Sequence, residues 1–525
     1  MKQIAIYDST LRDGAQAQGI SYSVEDKLKI VERLDALGVH YIEAGNPGSN
    51  PKDLEFFERV RGMKLKHAKL IAFGATRKIG IQAEDDGNVR SILAAGTDAV
   101  AIFGKSWDYQ VTEILRTKLD ENLRMIGDTL RHLKQQGKEV VYDAEHFFDG
   151  WKANPDYALA TLKAAAEAGA DFLVLCDTNG GSFPDFVHEV TRQVAAQFTT
   201  PLGIHCHNDC EMAVANSVAA VQAGARQVQG TINGIGERCG NANLCAIIPN
   251  LQLKLGFACV PPENMASLAT VARAVSEIAN MPLNEKAAYV GADAFAHKGG
   301  MHIDAVVKNP VSYEHIDPEL VGNSRRTLMS EVAGRSTLLA RIRAVDPAIG
   351  KDSPETKKII ERLKQLEHEG YHFEAAEQSF ELVVRKMLGK YTPFFELVEF
   401  KVMVNEPSVD NMNSSAMIKI RVGDETEITA AEGDGPVNAL DKAVRKALER
   451  FYPAIGEIRL TDYKVRVLDS KEASAAKVRV LIESTDQREN WTTIGVSTDI
   501  IDASWHALVD SIEYKLVREQ EAGRG

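Results

Sequence analysis

The sequence is poor in three things, and each shortage narrows its class. Cysteine occurs six times in 525 residues, at Cys176, Cys206, Cys210, Cys239, Cys245 and Cys259, with no regular spacing. So few thiols in so long a chain build no secreted disulfide framework, and a reducing cytoplasm is the expected compartment. No apolar stretch approaches the roughly 20 residues needed to cross a bilayer, so no membrane association is expected. The opening Met1-Lys2-Gln3-Ile4-Ala5-Ile6-Tyr7 enters a strand-like run directly, without a charged-then-apolar leader. Positive charge is also in deficit, with 61 Lys and Arg against 74 Asp and Glu for a formal net charge of -13. Without a basic run to offset that balance, nucleic acid is not an expected partner.

What the chain does have is an ordinary enzyme composition, 44% hydrophobic and 26% charged, at a length that calls for more than one core. Up to about residue 255, short apolar runs alternate with longer amphipathic ones. Strands are expected at Ile4–Tyr7, Tyr41–Ala44, Leu70–Phe73, Ala99–Phe103, Glu139–Tyr142, Phe172–Cys176, Leu202–His207 and Gln227–Thr231. Helical patterns such as Glu25–Leu37 follow them, and Gly38, Gly96, Gly137, Gly169 and Gly224 stand where a left-handed helix cap favours glycine. Eight strand–helix units predict a closed (β/α)8 barrel of parallel strands, with a doubly wound open sheet as the alternative.

The pattern changes further on. Helical periodicity dominates from Pro262 to Lys390, broken by the Gly- and His-rich stretch Ala294–Asp304. From Phe395, strands followed by a helix occur twice, Ile418–Ile428 with Gly433–Arg450, and Lys477–Ile482 and Trp491–Thr493 with Asp499–Leu516, which predicts an α+β domain built on a duplicated strand–strand–helix unit. The expected domains are a catalytic barrel over 1–260, a helical accessory and linker segment over 261–394, and a regulatory or dimerisation domain over 395–525.

In such a barrel the reacting groups sit at the C-terminal ends of the strands. Polar residues collect there: Asp8-Ser9-Thr10-Leu11-Arg12-Asp13-Gly14, Asp143-Ala144-Glu145-His146, Asp177-Thr178-Asn179-Gly180, His205-Cys206-His207-Asn208-Asp209 and Asn233-Gly234-Ile235-Gly236-Glu237-Arg238-Cys239-Gly240-Asn241. Residues two apart on a strand face one side, so His205 and His207 can point at one ion while Cys206 faces the helix layer. Asp13 can add a carboxylate and Asn241 an amide oxygen, a nitrogen and oxygen set suited to Mn²⁺, Mg²⁺, Co²⁺ or Zn²⁺. The opposing view is a pair of hydrogen-bonded structural histidines. Arg12 can stabilise developing negative charge or simply pair with Glu43, and the two roles can coexist. Glu145 is a candidate acid/base or polar orienter. The glycines 234, 236 and 240 follow the last strand and do not open a strand–helix–strand unit, so they read as a turn that aims Asn241 and not as a dinucleotide loop. Cys210, in the loop after the histidines, is expected to be structural.

These motifs resemble the signatures of the 2-isopropylmalate synthase and homocitrate synthase family. The resemblance runs on through Ala294-Phe295-Ala296-His297-Lys298-Gly299-Gly300-Met301-His302, similar to the family's accessory segment, and Gly433-Asp434-Gly435-Pro436-Val437-Asn438-Ala439-Leu440, similar to its C-terminal regulatory domain. Tyr41-Ile42-Glu43-Ala44-Gly45-Asn46-Pro47-Gly48-Ser49-Asn50-Pro51-Lys52-Asp53 and Asp143-Ala144-Glu145-His146-Phe147-Phe148-Asp149-Gly150 resemble the branch that makes (R)-citramalate. The resemblance implies condensation of acetyl-CoA with pyruvate and water to give (R)-citramalate and CoA, on a route to isoleucine. It implies Asp13, His205 and His207 as metal ligands with Asn241 in or beside the set, and Arg12, Glu145, His302 and Tyr313 as catalytic residues. Arg12, Glu43 and Thr178 are the implied substrate contacts. A homodimer is implied, as is an amino-acid effector, isoleucine, bound near Gly433, Asp434, Gly435 and Pro436.

Bulky residues near the strand ends, Phe103, Phe147 and Phe148, are expected to narrow the oxo-acid pocket against larger substrates. Three other readings stand beside this one. They are a synthase of the same family acting on another 2-oxo acid, a lyase or aldolase of the same superfamily, and a metal-binding regulatory protein without turnover.

Overall fold

Eight parallel strands close on themselves in the first half of the chain. They are β1 (Ala5–Asp8), β2 (Tyr41–Gly45), β3 (Lys69–Ala75), β4 (Ala99–Lys105), β5 (Glu139–Glu145), β6 (Phe172–Asp177), β7 (Leu202–Cys206) and β8 (Gln227–Gly230). Between them run α1 (Val24–Leu37), α2 (Pro51–Val60), α3 (Gly87–Ala94), α4 (Leu119–Gln135), α5 (Phe147–Ala153), α6 (Pro155–Glu167), α7 (Pro184–Ala195) and α8 (Ala213–Ala223). The computed structural model describes residues 2–48, 51–327, 339, 341–343, 345–350, 353–373, 375–409, 412–468, 476–486 and 489–523. Ser49 and Asn50 of the second-strand motif lie outside the described residues. Among the described residues, no helix is long and apolar enough to cross a membrane.

Local chemistry starts and stops the helices. At α1, Ser23 accepts from the Asp26 amide at 3.1 Å while the Asp26 carboxylate accepts from the Ser23 amide at 2.9 Å, a reciprocal cap. The helix ends at Gly38, whose φ of 94° would strain any side-chain-bearing residue.

The strands sort their side chains by the two-residue pleat. Ala99 and Ala101 of β4, Val141 of β5 and Val174 and Cys176 of β6 fill the barrel interior. Their alternates Val100, Ile102, Val140, Tyr142, Leu173 and Leu175 pack outward under the helices. β5 continues past its expected end through Asp143, Ala144 and Glu145, in register with β4 to Lys105↔Glu145. Polar residues there read as loop in the sequence, but the ladder holds them as strand.

The chain divides into two compact units, Met1–Ala296 with Pro310–Arg326, and His297–Asn309 with Thr327–Gly525. The second unit holds helices Gly300–Lys308, Pro354–Glu369 and Glu377–Met387 and two three-stranded antiparallel sheets. One sheet comprises Glu396–Val409, Met412–Val422 and Glu425–Gly433, followed by helix Pro436–Leu448. The other comprises Arg459–Val467, Val478–Thr485 and Asn490–Ser497, followed by helix Ile500–Ala522. The duplication is therefore present, with one strand more per repeat than the sequence pattern indicates. Arg459–Val467 explains the shortfall, because its side chains are mostly exposed and its composition is polar. Thr429 and Thr493 occupy matching places, their hydroxyls donating to Ala443 O at 2.8 Å and Ala507 O at 2.7 Å, each acceptor fourteen residues on.

Gly230 at the end of β8 touches its neighbours where the barrel closes: a Cβ there would lie 2.3 Å from the Ala242 carbonyl oxygen. That oxygen is backbone and accepts from the Thr231 amide at 3.0 Å, so it cannot swing away. Gly230→Ala should destabilise the barrel by about 1–3 kcal/mol, read as a lowered melting transition in calorimetry.

Candidate active site

The loop after β1 is pinned before it reaches the cleft. Asp8 accepts from the Thr10 amide and hydroxyl, both at 2.9 Å, and Thr10 Oγ1 in turn accepts from the Ile232 amide at 2.9 Å. Strand one and the end of strand eight are thereby tied together, and burial pushes the Asp8 carboxyl up to about 7.

Arg12 and Asp13 follow from this turn. The Arg12 guanidinium donates from Nε to Glu43 Oε1, lies 3.3 Å from Asp13 Oδ2 and covers the Phe73 ring at 3.9 Å. Phe73 stacks on Phe103 with centroids 5.3 Å apart and planes inclined by 18°. Glu43 is fully buried and also accepts from Tyr7 Oη at 2.6 Å. The Arg12 cation is thus held between an aromatic face and a carboxylate that the buried Tyr7 anchors.

His205 and His207 enter the same space from β7 and its extension. His205 Nε2 is 3.4 Å and His207 Nε2 4.0 Å from Asp13 Oδ2. One candidate ligand atom from each of the three residues lies within 4.8 Å of the others, and all three are buried. Burial alone would raise the Asp13 carboxyl, but Arg12 and the two imidazoles hold it well below the usual carboxylate range. Burial and the charge of His205 push His207 down to about 4. Burial would lower His205 as well, yet its hydrogen bond and charge interaction with Asp13 carry it above the ordinary histidine value.

A divalent cation fits this donor set. Asp13 Oδ1, His207 Nδ1 and both side-chain polar atoms of Asn241 are buried without a hydrogen-bond partner. The acceptor oxygens among them, Asp13 Oδ1 and Asn241 Oδ1, cost free energy unless a donor or a cation satisfies them. Asn241 stands beside His207 through an isolated antiparallel bridge, placed there by the turn through Gly234, Gly236 and Gly240. A Cβ on Gly236 would lie 2.3 Å from Asn241 Nδ2 and one on Gly240 2.1 Å from Gly234 O, so the glycines are needed for close approach.

The cleft around this cluster has a volume of about 310 Å³. Arg12, Asp13, His205, His207, Glu145 and Thr178 line it, with Phe73, Phe103, Asp143 and Cys176 from the inward strand faces. Glu145 pairs with Lys105, its register partner on β4. Burial, with the charge of Glu43 adding to it, pushes Asp143 up to about 7.

Comparison with known proteins places this arrangement. Residues 3–275 match the HMGL-like family, 289–371 the homocitrate synthase post-HMGL domain-like family, and 374–516 the LeuA allosteric (dimerisation) domain. The chain is 53% identical to the (R)-citramalate synthase of Aquifex aeolicus (strain VF5), over 99% of both chains. It is 52% identical to the (R)-citramalate synthase of Geobacter sulfurreducens, again over 99% of both. Its identity to the 2-isopropylmalate synthase of Methanocaldococcus jannaschii is 30%, over 99% of this chain and 96% of the other. The chain belongs to the (R)-citramalate synthase family.

Not every expected residue lies in the cleft. Glu43 is buried beneath Arg12 and reaches the cleft only through it. His302 is an exposed residue of helix Gly300–Lys308 in the second unit, and Tyr313 is 48% exposed in the first; neither lines the cleft among the described residues. Gly433, Asp434, Gly435 and Pro436 join a strand to helix Pro436–Leu448 in the second unit. Phe147 and Phe148 correct an expectation. They begin α5 and pack fully buried against Trp151 and Phe186, so the aromatic wall of the cleft is Phe73 with Phe103. Cys210 is exposed and does not pack as a structural core residue. Phe73 and Gln16, which no sequence motif singles out, also line the cleft, as does Asn46 of the second-strand motif. Phe73 was recoverable from strand parity, since it lies an even number of residues from Ile71, which faces the interior.

Removing one partner of a buried ion pair leaves the other charged and unsolvated. Arg12→Met should therefore destabilise the barrel by about 3–5 kcal/mol. Adding Glu43→Gln should recover most of that loss, as measured by urea unfolding followed by tryptophan fluorescence.

Proposed function

We propose that this chain condenses acetyl-CoA with pyruvate and hydrolyses the thioester, giving (R)-citramalate and CoA. The carrying observation is the buried Asp13–His205–His207 cluster facing the immobilised Arg12 inside one cleft of about 310 Å³. Asp13, His205 and His207, with Asn241 beside them, would hold a divalent ion, Mn²⁺, Mg²⁺, Co²⁺ or Zn²⁺. When bound, such an ion polarises the carbonyl of a 2-oxo acid as a Lewis acid.

The protein's own groups supply the rest. Arg12, locked by Glu43 and Phe73, offers guanidinium N–H groups to oxygen as negative charge develops there, with little reorganisation at the moment of reaction. Thr178 takes part in substrate binding, and Glu43 does so through Arg12. Glu145 lines the cleft and is a candidate for taking the methyl proton of the acetyl group, Lys105 holding its carboxylate in place. His302 with Tyr313, which match family positions that reach the partner subunit's site, is the other candidate pair for that proton. The Phe73–Phe103 stack walls the cleft and would exclude a branched oxo acid by size.

The chain comprises a catalytic barrel over 1–260, an accessory segment over 261–394 and a regulatory domain over 395–525. It works as a cytoplasmic homodimer on the route to isoleucine, and isoleucine inhibits it through the region of Gly433-Asp434-Gly435-Pro436. The match of residues 374–516 to the LeuA allosteric (dimerisation) domain supports the dimer and the regulatory role of this region.

CoA release, followed with a thiol reagent, tests the reaction. Pyruvate with acetyl-CoA should support it and 2-oxoisovalerate should not; equal turnover of both would overturn the substrate assignment. Chelation should abolish CoA release, and Asp13→Asn should reduce it by at least about a hundredfold, as loss of a ligand carboxylate weakens both ion and transition state. Deletion of residues from 396 onward should remove inhibition by isoleucine, read in the same assay, while some turnover persists.

A further inference from the structure

Gln229 is fully buried on β8, in register with His205 on β7. Strand pleating puts both side chains on the barrel's inner face. Its amide touches three groups. Oε1 lies 2.9 Å from His205 Nδ1, while Nε2 lies 2.9 Å from Asp143 Oδ1 and 3.4 Å from Gln227 Oε1.

The Asp143 carboxylate oxygen decides which end of this amide is which: the NH2 group faces it as donor, so the carbonyl oxygen faces the imidazole. An amide oxygen only accepts, and His205 Nδ1 must then carry its hydrogen. Nε2, 3.4 Å from Asp13 Oδ2 and 3.5 Å from His207 Nε2, is then the nitrogen that offers its lone pair once an ion replaces the proton it shares with Asp13. A neutral imidazole can ligate from either nitrogen, and the partner of the other nitrogen sets the choice.

We infer that Gln229 is a positioning residue: held by Asp143 and Gln227, it fixes His205 in the Nδ1–H tautomer and aims Nε2 at the ion. The inference rests on the metal-site reading above. It also gives a role to Asp143, a buried carboxylate that the proposed chemistry does not use. Asp143 orients the glutamine, and the glutamine orients the ligand. An amide suits the place because it accepts from the histidine and donates to the carboxylate at once. An aliphatic side chain of similar size fills the space and does neither.

The test is Mn²⁺ binding to the full chain, with the free ion followed by electron paramagnetic resonance and folding checked by circular dichroism. Gln229→Leu should weaken binding by about ten- to a hundredfold, the usual effect of losing a hydrogen-bond partner behind a ligand. The exchange Gln229→Glu with Asp143→Asn should bind close to the unsubstituted chain. The new carboxylate still accepts from Nδ1–H, the new amide donates to it, and the charge of the pair is unchanged. Undiminished binding in Gln229→Leu overturns the inference, and so does a double variant as weak as Gln229→Leu, which would reduce Gln229 to packing. If Gln229→Leu does not fold, the double variant decides alone, tight binding supporting the role and loss beyond tenfold overturning it. An unsubstituted chain that binds no Mn²⁺ overturns the metal site itself, and the inference with it.

Discussion

A pleated strand in a closed barrel delivers every second side chain to the interior, and it has no freedom to do otherwise. Closure removes the edge strands, so a one-residue slip in any ladder would turn a whole row of side chains inside out. Small and branched residues at Ala99, Ala101, Val141 and Val174 fill the lower interior. The same parity, carried two or four residues further, brings Phe103, Asp143, Glu145, His205 and His207 into the mouth. The catalytic face is thus the continuation of the core by the same geometric rule, with polar residues in place of apolar ones.

That continuation is costly, because it puts charges where water is scarce. The site answers by pairing. Arg12 neutralises Glu43 and leans on Asp13, Lys105 meets Glu145 across the β4–β5 ladder, and Gln229 takes up both His205 and Asp143. What stays unpaired is concentrated at Asp13, His207 and Asn241. An unsatisfied buried polar atom costs about 1–3 kcal/mol, and Asp13 and His207 belong, with His205, to a cluster that could hold a metal ion.

The second unit uses a different economy. Each repeat lays a helix on one face of a three-stranded antiparallel sheet, and buried Ala439, Ala443, Ala503 and Ala507 let helix and sheet approach closely. The matching threonine bonds at Thr429 and Thr493 show that the repeats share a helix–sheet contact as well as an element order. Side chains of Arg459–Val467 are largely exposed, Val465 and Val467 among them, whereas Ile494 on the other outer strand of that sheet packs with Leu363, Phe373 and Phe380, so the second sheet is covered on both faces.

The sequence by itself determined the barrel, its eight strands, the duplication and the convergence of Asp13, His205 and His207. Short-range periodicity gives the first three, the parity of one strand puts His205 and His207 on one face, and the rule that barrel sites gather at the C-terminal strand ends adds Asp13. Residue motifs also carried the family. The tertiary structure alone decided which partners those residues meet. Glu43 lies thirty-one residues from Arg12 and Gln229 twenty-four from His205, and only closure of the barrel sets them at hydrogen-bonding distance. It decided likewise that neither Phe147 nor Phe148 walls the cleft. Parity places a residue on a face, but its depth and its neighbour across the ladder depend on the stagger of strands distant in sequence.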